Sequence, residues 1–377
     1  MSAARFGGSI AACLFSACLV TAGMVTAGMA TAGLTVTNAL AAQSVPPRDT
    51  PVLTPPEHVR GAEQTFLTYP EWFLVHSPAE YAQFIKTRPP SEFPYLGHIG
   101  QFWQGYGAVS EATRDAYPTN FGYHLMVMVI GVSTTVEYSL KYAYETLIGR
   151  LTEAARRHGP TDEDRFAAGV AQDYVDFIRV RPWYEYDFGA KLAALWREVP
   201  MHGADPVRKW ERRWMLSTEY GAKAAYGWLI GRLTRLSYDE PLPVTALVLD
   251  RLPQGLQAAL PLIKVLDQHL SGPPAARPEV LVTVPRYEAF MTYAQALASE
   301  GANFEEVAGN RGAILVSVLV DSGWLPAPAA ATPLFTQPIL TRPGQSRAVL
   351  MLPVDHLADA LRAWHAANID VEHIYDF

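Results

Sequence analysis

The chain carries one stretch twice. Residues 137–152 read EYSLKYAYETLIGRLT and residues 219–234 read EYGAKAAYGWLIGRLT, eleven identities in sixteen positions without a gap. Unrelated segments share about one position in sixteen, roughly two or three if both are amphipathic, so the pair is an internal duplication of a helical element. Its offset of 82 residues is too long for a short solenoid repeat. Two copies related by a pseudo-twofold axis, in one bundle or across it, fit the spacing better. At helical spacing Glu137, Lys141, Tyr144, Ile148 and Leu151 share one face, as do Glu219, Lys223, Tyr226, Ile230 and Leu233. Each Glu precedes its Lys by one turn. Two readings follow. Either each copy carries a solvated Glu-to-Lys pair, worth about 0.3 kcal/mol, above a packing face, or the two polar ends converge around a ligand or proton path. The candidate ligand-binding residues are therefore Glu137, Lys141, Tyr144, Glu219, Lys223 and Tyr226. His124 joins them, on the apolar run that precedes Glu137, where it is either a hydrogen-bonded core histidine or a ligand or base.

The rest of the chain frames this duplication. Residues 1–42 have one charge, Arg5, a long apolar stretch and an Ala39-Leu40-Ala41 triplet, the pattern of an export signal or, given its length, of a retained membrane anchor. Both cysteines, Cys13 and Cys18, fall inside it, so downstream residues carry no disulfide, Cys-ligated metal or Cys nucleophile. Residues 43–59 form a Pro-rich tether. Residues 60–270 read as a mostly helical domain: 66–106 are dense in aromatics, and helical patterns cover 119–157, follow Thr161 and Pro182, and cover 205–236. Beyond the Pro/Gly boundary at 271–278 the texture changes to strands at 280–284, 303–307, 313–320, 347–352 and 370–377, with helices at 287–300 and 354–367. The order predicts an α+β fold whose second domain, 279–377, is a ferredoxin-like α+β sandwich. Residues 309–312 offer a hairpin turn, and the five prolines of 325–344 predict a surface loop.

The spacings that common chemistries need are missing. HExxH, paired ExxH, GxSxG, a Walker A loop and GxGxxG do not occur, and no two of the ten histidines stand at i, i+4. No metal or cofactor is assigned. A net charge of −7 counts against nucleic acid as a partner. The uncharged run 116–136 reaches the nominal length of a membrane span, but Pro118, Asn120 and His124 shorten its apolar part and favour a buried helix. In 208–214, RKWERRW, the packing expectation is tryptophans in the core and arginines snorkelling to water or pairing with acids, against an interfacial helix. These features predict an exported periplasmic protein, free or membrane-tethered, that binds an apolar or amphipathic small molecule or an envelope protein partner. The alternatives are a metal-independent enzyme using the duplicated Glu, Lys and Tyr residues, and a membrane-integrated transporter-like or complex subunit.

Overall fold

The computed structural model describes residues 52–61, 63–237, 242–270, 279–324 and 331–376. The expected export segment, most of the expected tether and the expected boundary at 271–278 lie outside them. The first half is helical, as the periodicity predicts. Helix α1 (Gln64–Phe84) is buried on most sides, so it forms the centre around which α2 (Tyr95–Arg114) and α3 (Phe121–Tyr144) pack. Asn120 caps α3 by accepting from the Tyr123 amide at 3.1 Å. Its axis continues through a π-turn at Glu145–Gly149 into a last turn at Arg150–Ala154. Helix α4 (Asp162–Ile178) opens on a capping box of Thr161 and Asp164. Helix α5 (Phe188–Glu198) is capped by Asp187, and the 32-residue α6 (Pro206–Ser237) closes the half.

The duplication reaches further than the sixteen-residue match. Tyr81, Phe84, Ile85, Arg88, Pro89, Glu92 and Trp103 recur as Tyr174, Phe177, Ile178, Arg181, Pro182, Glu185 and Trp196, now at an offset of 93. Both copies place a single 3-10 turn after the proline, Pro90–Glu92 and Trp183–Glu185. Helices α1–α2–α3 and α4–α5–α6 are thus two copies of one three-helix unit. The offset shrinks to 82 because α5, with 11 residues, is shorter than α2, with 20.

The second half is α+β and holds two four-stranded antiparallel sheets. The first contains β1 (Val244–Leu249), β2 (Lys264–Leu270), β3 (Glu279–Pro285) and β4 (Phe304–Val307) in the order β2-β3-β1-β4. The second contains β5 (Ala313–Asp321), β6 (Thr332–Pro338), β7 (Gln345–Pro353) and β8 (Asp370–Ile374) in the order β6-β7-β5-β8. Helix α7 (Glu288–Ser299) links β3 to β4, and α8 (Leu357–Ala366) links β7 to β8. Leu247 and Val282 of the first sheet, Val316 and Leu350 of the second, Phe290 of α7 and Leu361 of α8 share one core. The other face of the second sheet packs on α1, where Phe66, Tyr69 and Trp72 meet Leu315, Val349 and Tyr375.

Three expectations change. The single sandwich over 279–377 is replaced by two sheets, and β3 lies between β2 and β1, so strands from before residue 271 complete the first sheet. The turn at 309–312 does not join a hairpin: β4 and β5 belong to different sheets, and only the isolated bridge Val307–Asn310 spans it. The proline-rich insertion includes β6, which tolerates Pro333 and Pro338 because it is an edge strand.

Candidate functional site

The duplicated carboxylates and ammonium groups meet. Lys141 Nζ lies 3.0 Å from Glu137 Oε1 and 2.8 Å from Glu219 Oε1. Lys223 Nζ lies 3.1 Å from Glu137 Oε1 and 3.0 Å from Glu219 Oε1. The four groups form a closed ring of alternating charge in which each residue serves both copies, with α3 and α6 running antiparallel past each other. Side-chain exposure runs from 9% at Lys141 through 15% at Glu219 and 22% at Lys223 to 39% at Glu137, so water reaches the ring from the Glu137 side. Burial disfavours charge on all four groups. Against it, the two lysines hold Glu137 and Glu219 below the ordinary carboxylate range, and the two glutamates hold Lys141 and Lys223 above the ordinary lysine value. Every member stays ionised near neutral pH. The ring is a neutral clamp between the copies, and none of its members is poised to exchange a proton there.

Each lysine sits against an equivalent aromatic wall. Lys141 Nζ lies 5.2 Å from the centre of the Tyr81 ring, and Lys223 Nζ lies 5.5 Å from Tyr174 and 5.2 Å from Phe188. Tyr81 meets Phe93 at 5.0 Å where Tyr174 meets Tyr186 at 5.1 Å, and Phe93 meets Tyr95 at 4.9 Å where Tyr186 meets Phe188 at 4.7 Å. Outside the walls, Trp103 Nε1 donates to Thr135 Oγ1 at 2.9 Å and Trp196 Nε1 to Ser217 Oγ at 3.0 Å. Of the aromatics of 66–106, Tyr81, Phe93 and Tyr95 build this wall, whereas Phe66, Tyr69 and Trp72 pack on the second sheet and Phe73 and Phe102 on Val127 of α3.

The other candidates do not join the ring. Tyr144 donates to Glu211 at 2.9 Å, and Tyr226 stacks on Trp183 at 5.3 Å. His124 pairs with the Tyr106 hydroxyl at 3.0 Å and lines an open cleft of about 380 Å³ with Glu63, Ser110, Arg114 and Asn120. Thirteen residues of helix separate it from Glu137, about 20 Å.

Two buried polar clusters carry no sequence motif. On α6, Arg212 reaches Glu145 at 2.8 Å, Arg213 reaches Glu163 at 2.7 Å, Lys209 reaches Asp162 at 2.8 Å and Glu163 at 3.0 Å, and Arg208 reaches Glu211 at 3.0 Å. Residues 208, 209, 212 and 213 share the inward face, which leaves Trp210 and Trp214 outside. The packing expected for 208–214 is thus inverted for the tryptophans and met for the cations. Between α1 and the second sheet, Arg347 donates to Glu80 at 3.0 Å and forks onto Glu372 at 2.5 and 2.7 Å. Burial pushes His76 and His98, which flank these carboxylates, down to about 3. It also lowers His373, stacked on Trp72 at 3.8 Å.

The outward sides of α3 and α6 are apolar and uncovered. Phe121 (75% exposed), Leu125, Met128, Val129 and Val132 form a stripe on α3, continued by Leu147 and Leu151. Trp210, Trp214 (60%), Trp228 (65%) and Leu229 are exposed on α6. The uncharged run thus forms an exposed helix face, where a buried helix was expected. Its flank away from solvent, at Val127, Gly131 and Thr134, is what packs inward. Among the described residues, no helix is long and apolar enough to cross a membrane, and no group of His, Cys, Asp or Glu is arranged to hold a metal ion. Compared with known protein families, curated proteins and solved structures, the chain matches none.

Proposed function

We propose that this chain is an exported envelope protein, held at a membrane by its N-terminal segment, whose helical half binds an apolar or amphipathic partner along the outward side of α3 and α6. One observation carries the reading: the α3 stripe, from Phe121 to Leu147, puts large apolar side chains in solvent, and the charged residues of that stretch, Glu137, Lys141 and Glu145, are all paired. A folded surface of that kind is a contact surface awaiting its partner. The ring below it supports the same reading, since it fixes the two helices to each other and leaves their outer sides for binding. Fractionation of cells producing the full chain with a C-terminal tag tests the proposal. The expected product is membrane-associated and reached by protease only from outside the cytoplasm. A full-length, soluble cytoplasmic product overturns it.

For the catalytic alternative, the mutual ion pairing of Glu137, Lys141, Glu219 and Lys223 favours a centre away from the ring. What supports it is the cleft where His124 and Tyr106 face Arg114 and Glu63. Retention of partner binding in His124→Gln argues against that cleft as the functional centre.

A further inference from the structure

We infer that the partner of the α3–α6 face is the interfacial region of a phospholipid bilayer, on which the two helices lie with their outer sides immersed; this rests on the reading above. From Phe121 to Gly149 the only Asp, Glu, Lys or Arg residues are Glu137, Lys141 and Glu145. All three are paired with α6, in the ring or through Arg212. From Trp214 to Gly231 on α6 the only ones are Glu219 and Lys223, again in the ring. Within these two stretches charge is thus present only where the opposite helix neutralises it, the condition under which ionisable side chains are tolerated next to lipid.

Four hydroxyls of these stretches are satisfied within their own helix. Ser133 donates to the Ile130 carbonyl at 3.0 Å, Thr135 to Gly131 at 2.7 Å, Ser217 to Arg213 at 2.7 Å and Thr218 to Trp214 at 3.0 Å. A protein partner offers hydrogen bonds across an interface, and such groups need not be turned inward for it. Hydrocarbon offers none, so each polar group has to be satisfied within its own helix. The ends of the face carry side chains suited to the headgroup level: Trp214 and Trp228 are fourteen residues apart, about 21 Å along α6, with the Arg232 guanidinium 6.0 Å from the Trp228 ring, and Arg150 is exposed where α3 ends. The chain also has an apolar N-terminal stretch of its own. From it, residues 43–51 lead to Val52, and Glu63 accepts a hydrogen bond from Asn120 (3.2 Å), the cap of α3.

The test uses the full chain with Cys13→Ser and Cys18→Ser, a single cysteine introduced as Val129→Cys or Trp214→Cys, and a fluorophore on that cysteine, in vesicles of phosphatidylcholine and phosphatidylglycerol at three to one. Doxyl-labelled lipids should quench both labels, and aqueous iodide should quench them several-fold less than the same label at Ser299→Cys on α7. Adding Leu125→Lys with Val132→Lys should return the 129 label to iodide while the chain stays with the vesicles through its N-terminal segment. Protection from iodide without lipid quenching, accompanied by cross-linked dimers, overturns lipid as the occupant and leaves the apolar-partner reading standing. Labels at 129 and 214 that are as open to iodide in vesicles and in native membranes as the one at 299 overturn both.

Discussion

Replacing the two ring carboxylates, singly and together, measures whether the two copies act as one unit. The ring has four attractive edges of 2.8 to 3.1 Å. For a near-square arrangement its two like-charge diagonals are about 4 Å, so at an effective dielectric of about 20 each edge is worth roughly 5.5 kcal/mol and each diagonal roughly 4 kcal/mol before desolvation. Removing the first carboxylate deletes two edges and also relieves the Glu–Glu diagonal. Removing the second deletes two edges and relieves nothing, because that repulsion has already gone. The double variant should therefore cost more than the sum of the single variants by one diagonal. Water at Glu137, which is 39% exposed, screens that excess to roughly 1–3 kcal/mol. The singles should differ as well: Glu219→Gln, the better buried, should cost about 2–4 kcal/mol and Glu137→Gln about 1 kcal/mol. Urea unfolding of the full chain in mild detergent, followed by circular dichroism, reads all three values. Additive losses below about 0.5 kcal/mol would refute the shared ring and return each Glu to its own Lys.

Three further outcomes follow from the other buried groups. Arg347→Met strands Glu80 and Glu372 between α1 and the second sheet, and the full chain should lose about 3–5 kcal/mol in urea unfolding; an unchanged midpoint denies that fork its role. Burial holds His76 and His98 at about 3 and lowers His373, so the unfolded chain takes up protons from about pH 6.5 downward while the folded chain does not. Stability is then complete above that pH and falls as pH drops toward 3, and His76→Phe should flatten the slope across that window in a pH series of urea curves. Gly131 lets α3 approach α2 so closely that a Cβ would overlap Phe102 and Trp103; Gly131→Val should cost roughly 1–3 kcal/mol by thermal unfolding, whereas a neutral result would show that α2 yields freely.

The sixteen-residue match located the ring, because identity at a fixed offset needs no structural knowledge. Whether the faces met was not legible, since spacing along one helix gives the same Glu-to-Lys alternation for a solvated pair and for half of a ring. The wider repeat was missed for a definite reason. Its first part lies at offset 93 and its second at 82, and a comparison at one offset loses the other; Tyr-x-x-Phe-Ile followed by Arg-Pro, at 81–89 and 174–182, was the available signal. The positions of β3, β4, β5, β7 and β8 came from alternation and β-branched content, but β1, β2 and β6 did not, nor did the division between two sheets, because pairing is long-range and the Pro/Gly stretch at 271–278 resembles a domain boundary. The Arg347 cluster joins residues almost 300 positions apart, and no local pattern announces it.

The two copies also explain each other where they differ. Gly131 and Arg213 occupy the same position of the repeat. In the first copy α2 is 20 residues long, and its Phe102 and Trp103 fill the space that Gly131 leaves open. In the second copy α5 stops after 11 residues, so the carbonyls just past its end, at Val199 and Pro200, need donors that a further turn of helix would otherwise supply. Arg213 provides them, donating to the Val199 carbonyl at 2.9 Å and the Pro200 carbonyl at 3.0 Å while holding Glu163 at 2.7 Å. One shortened helix thus accounts for an arginine on an inward face. Glu163 and Asp164, on the capped first turn of α4, together with Glu145 from the π-turn, compensate Arg213, Lys209, Arg208 and Arg212. Residues 121–149 and 214–231 carry no Asp, Glu, Lys or Arg outside the ring and the Glu145–Arg212 pair, a restriction that packing against the core does not impose and that the apolar partner proposed above would.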